Sequence, residues 1–559
     1  MSIQRVKREY ASRGTAKVAQ FAEAMKNTVA PAGTFDSAAA SDFASTTINQ
    51  GDAGVVMPEK LQLVLDEYTS DEDKSRVMRA VYDGCTLYEQ QHGCEVPADV
   101  IEQAIHSAYA TTGDARRKFS LDSATSIHMD NQSLQSNRAI VAILSILTEA
   151  VPFAHYLPAD IGSNQAKLAV MTHRAGGLYG GYAENAIMDG AYSGDTFISS
   201  SRVHKSTIAA DTGNITGALT TVQSDSETCL STAAAVKLLR GRSLVYVNGK
   251  VCATEITSGG SGASTVSGSA TIDGTTYQIG GTINTDTGAI ALTTAPKMPT
   301  TIPVHVEGFI DYERDATIVP NIITGVDVYD LYAKPWRVNT YSSMDAATQM
   351  ANELGLDPYS ESVLAIQSQF ANERHYDVLR KMMRLAVNNQ VTHDFAWSTR
   401  SAQMSRSQIW QDFAAPLGVA SQKMAEDTLN HGITHMYVDK YVAAQLRGLP
   451  MGMFEPSGIS DRPGIYRVGR LFGLVDVYYT PKGLSGNGVS SQILCVGRAT
   501  DVTRNPIVMG DAVSPTVVPL AVNGDLKRGA GFYARNFTAV NPHSYSAQGA
   551  ALINVTNLS

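Results

Sequence analysis

Apolar positions recur at helical spacing most persistently between Met344 and Asn388. Met344 to Leu354 reads as one helix stopped at Gly355. Asp357 and Pro358 then open a second helix that runs to about Asn388. Within it Val363, Ile366, Phe370, Leu379, Met383 and Ala386 keep the period, with Glu361, Glu373, Arg374, Arg380 and Arg384 set among them. At 1.5 Å per residue such a helix spans on the order of 45 Å, long enough to act as a strut. Residues 57 to about 112 also read as helical. Leu61, Leu63, Val64 and Leu65 lead into Ser70-Asp71-Glu72-Asp73, a capping residue with acids suited to the next helix's dipole. Val77, Val81, Leu87 and Tyr88 give that helix an apolar side, Gly93 ends it, and Pro97 starts another. From Arg138 the run AIVAILSILTEAVP reads as a buried helix turning at Pro152.

Period-two alternation takes over elsewhere. Lys167 to Arg174 and Thr196 to Ile208, with paired glycines between them, predict a long two-stranded hairpin with a mobile tip. Isolated hairpins are marginally stable, so this one needs a partner surface. Residues 241–312 carry the strongest β signals. Asn248-Gly249 joins Ser243–Val247 to Lys250–Ile256, while Asp273-Gly274 and Asp286-Thr287-Gly288 mark later turns. Strands at this spacing predict a small antiparallel sandwich or barrel. Residues 313–343 read as return strands. Residues 405–525 alternate helix and strand as an α/β sandwich, with Leu474–Tyr479 and Gln492–Val496 as buried strands. The chain closes on two β-rich runs, Gly531–Val540 and Ala550–Val555, flanking the turn Asn541-Pro542-His543. Near the start, Val6 to Lys26 reads as a short helix. The Ala/Ser/Thr/Gly stretch after it offers too little apolar surface to order itself alone.

Composition narrows the class. The 559 residues suffice for two to four domains. Only 17% are charged, against about a quarter in an average soluble domain, which suits a chain that spends surface on neighbours or a β-rich secreted protein. A net charge of −9 gives no general affinity for nucleic acid. The five cysteines (Cys85, Cys94, Cys229, Cys252, Cys495) form no metal-type spacing and read as reduced thiols of a cytoplasmically made protein. The basic start lacks the apolar core of a signal peptide, and no run approaches the ~18 apolar residues of a membrane span.

Chemistry is sparse. GxSxG, P-loop, HExxH and kinase-type sets are absent. His431 and His435 are four apart, but Gly432 breaks the helix that would align them as metal ligands. Asp311 and Glu313 share a strand face, which reads as solvated rather than as a calcium site. Met451 and Met453 suit either a pliable contact surface or core filling. Tyr246 and Tyr277 are too few to make a sugar platform in the β domain. No catalytic, cofactor-binding or metal-ligating residue is nominated, and the chain is expected not to be an enzyme.

The closing block KRGAGFYARNFTAVNPHSYSAQGAALINV resembles the C-terminal strands of tailed-bacteriophage major capsid proteins with the HK97-like fold, where a "GFY-R…NPH" pattern closes the chain. The TGAI-x-L hairpin of residues 287–292 is similar to the insertion domain of large myovirus-type capsid subunits. The resemblance extends over residues 150–559 chiefly through the order of parts. It implies an α+β subunit made of an N-terminal arm (1–56), a helical unit (57–135), the start of the P-domain and E-loop hairpin (136–240), an inserted β domain (241–312), return strands and P-domain spine helix (313–404), an A-domain (405–525), and C-terminal P-domain strands (526–559). It implies self-assembly as hexamers, and also pentamers, into an icosahedral head in the virion around double-stranded DNA, without sequence-specific binding. Vertex, decoration, scaffold and portal proteins are the implied partners; no cofactor and no membrane are implied. Some members cross-link their shells through lysine and asparagine; Lys167 and Lys205 lie in the expected hairpin, but no cross-link is expected here. The alternatives are a paralogous pentameric vertex protein, a secreted hydrolase or adhesin with a β module, and a tail-sheath or tube protein.

Overall fold

The protein is described from a computed structural model, which covers residues 16–27, 43, 57–68, 70–110, 131–159, 164–223, 234–257, 262–355, 357–520 and 526–558. The fold is α+β, as expected. Two compact units divide the chain: residues 1–170 with 328–559, and residues 171–327.

The larger unit is built on two sheets. In the first, β1 (His155–Tyr156), β20 (Ile507–Leu520), β21 (Lys527–Val540) and β13 (Lys334–Ser343) lie in that order, with β1 parallel to β20 and the remaining pairs antiparallel. Across it runs the 28-residue helix α7 (Pro358–Leu385), about 42 Å long at 1.5 Å per residue. Phe370 of α7 anchors it between Trp336 of β13 and Phe532 of β21. Helix α6 (Met344–Leu354) precedes it. Ser343 caps α6 through the Ala346 N–H, and Gly355 ends it with φ at 65°. Both boundaries are where the sequence puts them.

The second sheet has seven strands in the order β14 (Gln390–Asp394), β22 (Ala550–Thr556), β19 (Ser491–Val496), β15 (His435–Val438), β18 (Val475–Tyr479), β17 (Tyr466–Leu471) and β16 (Phe454–Pro456). Its inner strands are buried on both faces, which is why they read as unbroken apolar runs. Tyr437, Tyr478, Leu494 and Leu552 face Val378, Leu379 and Met382 of α7. Met436, Val477, Ile493 and Ile553 face α8 (Arg406–Gln411), α9 (Ala414–Thr428) and α10 (Lys440–Arg447).

Helices α2 (Glu59–Asp66), α3 (Asp71–His92), α4 (Ala98–Ala110) and α5 (Asn131–Thr148) pack into the same core as α7 and the sheets. They are part of the main body. Helix α1 (Ala16–Asn27) joins them, with Phe21 and Met25 fully buried, so this piece of the expected arm belongs to the core. The rest of the proposed arm lies outside the described residues apart from Phe43, which packs on Phe21. Ser70 stands at the N-cap of α3 but its hydroxyl makes no capping bond, and Leu87 turns out to solvent.

The smaller unit is a nine-stranded antiparallel sheet in the order β3 (Ser201–Lys205), β11 (Val304–Phe309), β6 (Leu244–Val247), β7 (Lys250–Glu255), β8 (Ala263–Ile272), β9 (Thr275–Asn284), β10 (Ala289–Ala295), β5 (Ile215–Ala218) and β4 (Thr207–Ile208). The Asn248-Gly249 and Asp273-Gly274 turns have φ positive at both residues, the geometry of a tight two-residue hairpin. The ring of His204 on β3 occupies the space a Cβ on Gly217 of β5 would need, so the sheet curls back on itself.

Three expectations are corrected. The run Lys167–Arg174 does not pair with Thr196–Ile208. Strand β2 (Gln165–Ala175) pairs with β12 (Ile322–Tyr332), while β3 pairs with β11. Alternation identifies a strand but not its partner, and here the partners are far apart in sequence. The β domain accordingly begins near Ser201, not at residue 241. Finally, the two closing runs separate: β21 lies in the four-stranded sheet and β22 is an inner strand of the seven-stranded one, while β20, expected in part in the α/β unit, lies beside β21.

Candidate assembly surface and interior polar network

Strands β12 and β13 follow one another across the single residue Ala333, and both leave large apolar groups in water. In the larger unit Val328, Tyr332, Val338, Tyr341, Met344 of α6 and Leu364 of α7 are between 43 and 63% exposed. Earlier on β12, Ile322, Ile323 and Val326 are also exposed. Strand β13 is an edge of its sheet and shows apolar groups on both faces, since Val338 and Tyr341 point to opposite sides. Among the described residues, none of α6 is buried. Scattered single exposed apolar groups are ordinary; several on β12 and its neighbour in sequence, the edge strand β13, with Met344 and Leu364 on the helices that follow, make a candidate contact surface.

Elsewhere in the larger unit a buried polar network ties helices to sheets. Asp99 of α4 accepts the Arg498 guanidinium at 2.8 Å and the Tyr156 N–H at 2.8 Å, with His155 Nδ1 at 3.2 Å. Arg498 also donates to the carbonyls of Pro152 and Ala154, at 2.8 and 2.6 Å. Burial alone would push the Asp99 carboxyl up, but Arg498, His155 and the hydrogen bonds outweigh it and hold the group well below the usual carboxylate range. A second pair joins Arg374 of α7 to Asp511 of β20 at 2.8 Å. A third brings Arg467 and Arg470 of β17 to Asp476 of β18 at 3.1 and 2.9 Å. His92, the last residue of α3, meets Tyr478 at 2.8 Å, and burial with nearby His375 and Arg467 lowers its pKa to about 3. These are buried charges, each paired, of the kind that fixes one arrangement of elements at a desolvation cost.

The closing turn forms a comparable bracket. Asn541 Nδ2 donates to the Thr503 and Asn505 carbonyls, each at 2.9 Å, and its Oδ1 accepts the His543 N–H at 3.0 Å. His543 Nδ1 sits 2.8 Å from the Ser546 hydroxyl. Thus the Asn-Pro-His signature works as a buried lock on the loop between β19 and β20, with no reactive role in view.

The other residues weighed from sequence disperse. His431 is buried, its pKa lowered to about 4 by burial and then by His155, and His435 Nδ1 engages the Thr434 hydroxyl; they form no ligand pair. Asp311 and Glu313 are not on a strand. They come after β11 in a turn where Asp311 Oδ1 accepts the backbone N–H groups of Glu313 and Arg314. Met451 is 78% exposed, while Met453 packs against the core of the seven-stranded sheet, so each alternative holds for one of them. Tyr277 is buried and the Tyr246 hydroxyl donates to Glu307, which leaves no aromatic platform. Lys167 and Lys205 are both exposed. Cys85, Cys94, Cys252 and Cys495 are free thiols, and Cys229 lies outside the described residues. Among the described residues no cluster has the makings of a metal site, and no helix is long and apolar enough to cross a membrane.

Sequence reasoning passed over the polar network. Its signal was present in Arg498, a cation set directly after the apolar run ILCVG, and in Asp99, an acid inside an apolar helix start. Either position forces burial of a charge and hence a partner.

No family model matches this sequence, and no curated protein does. Solved structures similar to parts of it include phage proteins and an encapsulin complex from Synechococcus elongatus. That of Microbacterium phage Oxtober96 is 12% identical, covering 43% of this chain and 79% of that one, with a TM-score of 0.29. The capsid of Myoviridae Phage XM1 is 13% identical, covering 44% and 80%, at 0.28. Mycobacterium phage Bobi gives 12% identity, 58% and 87% coverage, and 0.28. A likeness at TM-scores this low carries no weight for function.

Proposed function

We propose that this chain is the major capsid protein of a tailed bacteriophage, self-assembling into an icosahedral head around double-stranded DNA. In this reading α7 and the four-stranded sheet form the P-domain, and the seven-stranded sheet with α8–α10 forms the A-domain. Residues 171–327 are the E-loop with its inserted β domain. The role is mechanical, without catalysis. The observation that carries the proposal is the apolar surface on β12, β13, α6 and the start of α7, joined by the closing Asn541-Pro542-His543 block. Full burial of a Val- or Leu-sized side chain contributes about 1.5–3 kcal/mol, so a half-exposed one gains roughly half of that when a neighbour covers it. A handful per subunit gives a modest single contact. Closed symmetry multiplies it.

Negative-stain microscopy and sedimentation of the purified chain test the reading. Closed shells or capsomer-sized rings are expected. Val328→Lys with Tyr332→Lys should hold the protein as small species without lowering its melting temperature. A wild-type chain that stays monomeric at every concentration and salt tried, or that forms helical tubes, overturns the proposal.

A further inference from the structure

A cleft of about 170 Å³ opens between the C-terminal half of α7 and the segment after β18. Leu379 and Met383 of α7, Leu484, and Leu494 of β19 give it an apolar lining, with Tyr437 beneath. Three cations stand around it: Arg380 and Arg384, one turn apart on α7, and Lys482, whose ammonium lies 5.9 Å from the centre of the Tyr376 ring. No carboxylate is among the lining residues.

Arg384 alone would be explained by its place in the last turn of α7, where a cation suits the helix dipole. Arg380 and Lys482 are not so explained. Like charges at i and i+4 repel along a helix, and a third cation brought from a separate segment adds to the repulsion. An arrangement of this kind is relieved by an anion. The cavity's size points the same way, because an apolar cavity of about 150 Å³ accommodates one benzene ring.

We propose that this cleft captures a short acidic segment of a second protein, seating one Phe- or Leu-sized side chain on the apolar floor with carboxylates on either side of it meeting Arg380, Arg384 and Lys482. The basis is charge complementarity joined to a floor large enough for a single ring. Nothing in this depends on shell formation.

The test uses the full chain and a fluorescein-labelled peptide Gly-Asp-Glu-Phe-Glu-Asp-Gly, followed by fluorescence anisotropy. Saturable binding that weakens with salt is expected. Replacing the peptide's Phe with Ala should weaken it by at least about fivefold, through lost apolar burial. The double variant Arg380→Glu/Arg384→Glu should weaken it by about tenfold or more, through lost charge pairing. Lys482→Glu, off the helix, should weaken it in the same direction, and serves if the double variant does not fold. Equal affinity of the Phe and Ala peptides, or binding unaffected by either variant, overturns the proposal. So does tighter binding of a peptide with the chain's own residues 180–195, which would make a second copy the occupant. Since the assay is read without particles, its failure leaves the shell reading standing, and the reverse also holds.

Discussion

Arg498→Met removes the cation at the centre of the interior network while roughly keeping its volume. The side chains of Arg498 and Asp99 are 1 and 4% exposed, so water cannot replace what is lost. The Asp99 carboxylate would keep only the Tyr156 N–H and His155, and the carbonyls of Pro152 and Ala154 would lose their shared donor. Breaking a buried pair from one side costs about 3–5 kcal/mol, because the remaining charge is stranded. The pH dependence gives a sharper signature. In the native protein Asp99 has a depressed pKa, so its contribution is fully present above the ordinary carboxyl value of about 3.9 and is lost only as pH falls through the lower folded value. In the variant, burial (the largest single influence on Asp99) faces only His155 and the Tyr156 N–H and raises that pKa, so the folded state binds a proton the unfolded state has released. The deficit against wild type should therefore grow from pH 4.5 to 7, by at most about 1.4 kcal/mol per unit. Urea unfolding followed by tryptophan fluorescence reads this directly, because Trp336, Trp397 and Trp410 all lie in the larger unit. A deficit under about 1 kcal/mol at pH 7, or one that does not change with pH, refutes the reasoning. Asp99→Leu with Arg498→Met should cost less than Arg498→Met alone, since it strands no charge.

Burial lowers the pKa of His92 to about 3 and of His431 to about 4, so the unfolded chain takes up protons the folded one refuses once pH drops below about 6.5. Melting temperature should fall on acidification from pH 7 to 5, and His92→Gln should flatten the accompanying fall in unfolding free energy by up to about 1.4 kcal/mol per pH unit. Asn541→Ala leaves two carbonyls without their donor and the His543 N–H without its acceptor, for an expected loss of about 2–4 kcal/mol in the same urea titration. Gly288 has φ at 70°, and a Cβ there would lie 2.2 Å from the Leu219 carbonyl oxygen. Gly288→Val should destabilise the smaller unit selectively, lowering its calorimetric transition while leaving the tryptophan-detected one in place.

What the sequence made legible was local. Because caps and breakers act over one turn, Gly355, Asp357 and Pro358 set out the end of α6 and the start of α7, and the expected end near Asn388 lies three residues past Leu385. Asn248-Gly249 and Asp273-Gly274 fixed their hairpins for the same reason. What it hid was relational. Strand β2 finds its partner 157 positions on at Ile322 and beyond, and β22 leaves its neighbour β21 for another sheet. Alternation in β12 reads as a half-buried strand, yet Ile322, Val326, Val328 and Tyr332 on one side of it are all exposed. Their burial, in the proposed reading, depends on other copies, which a single chain's pattern cannot display. The polar network was missed because its members come from α4, β1, the loop after β19, α7 and β20, and no local signature spans them.

The chain enters and leaves residues 171–327 once each, whereas the larger unit takes strands from both flanks, with His155 beside Val508 and Tyr156 beside Met509. During synthesis the two units must therefore mature in the reverse of the order in which their first residues emerge. The inserted β unit has all of its own residues once Asp327 has left the ribosome. Helices α1–α5 must wait for the distal strands, tens of seconds at roughly 5–20 residues per second. In that interval a finished small domain trails an unfinished large one, and the apolar helices upstream of it are what a cell's chaperones would have to shield.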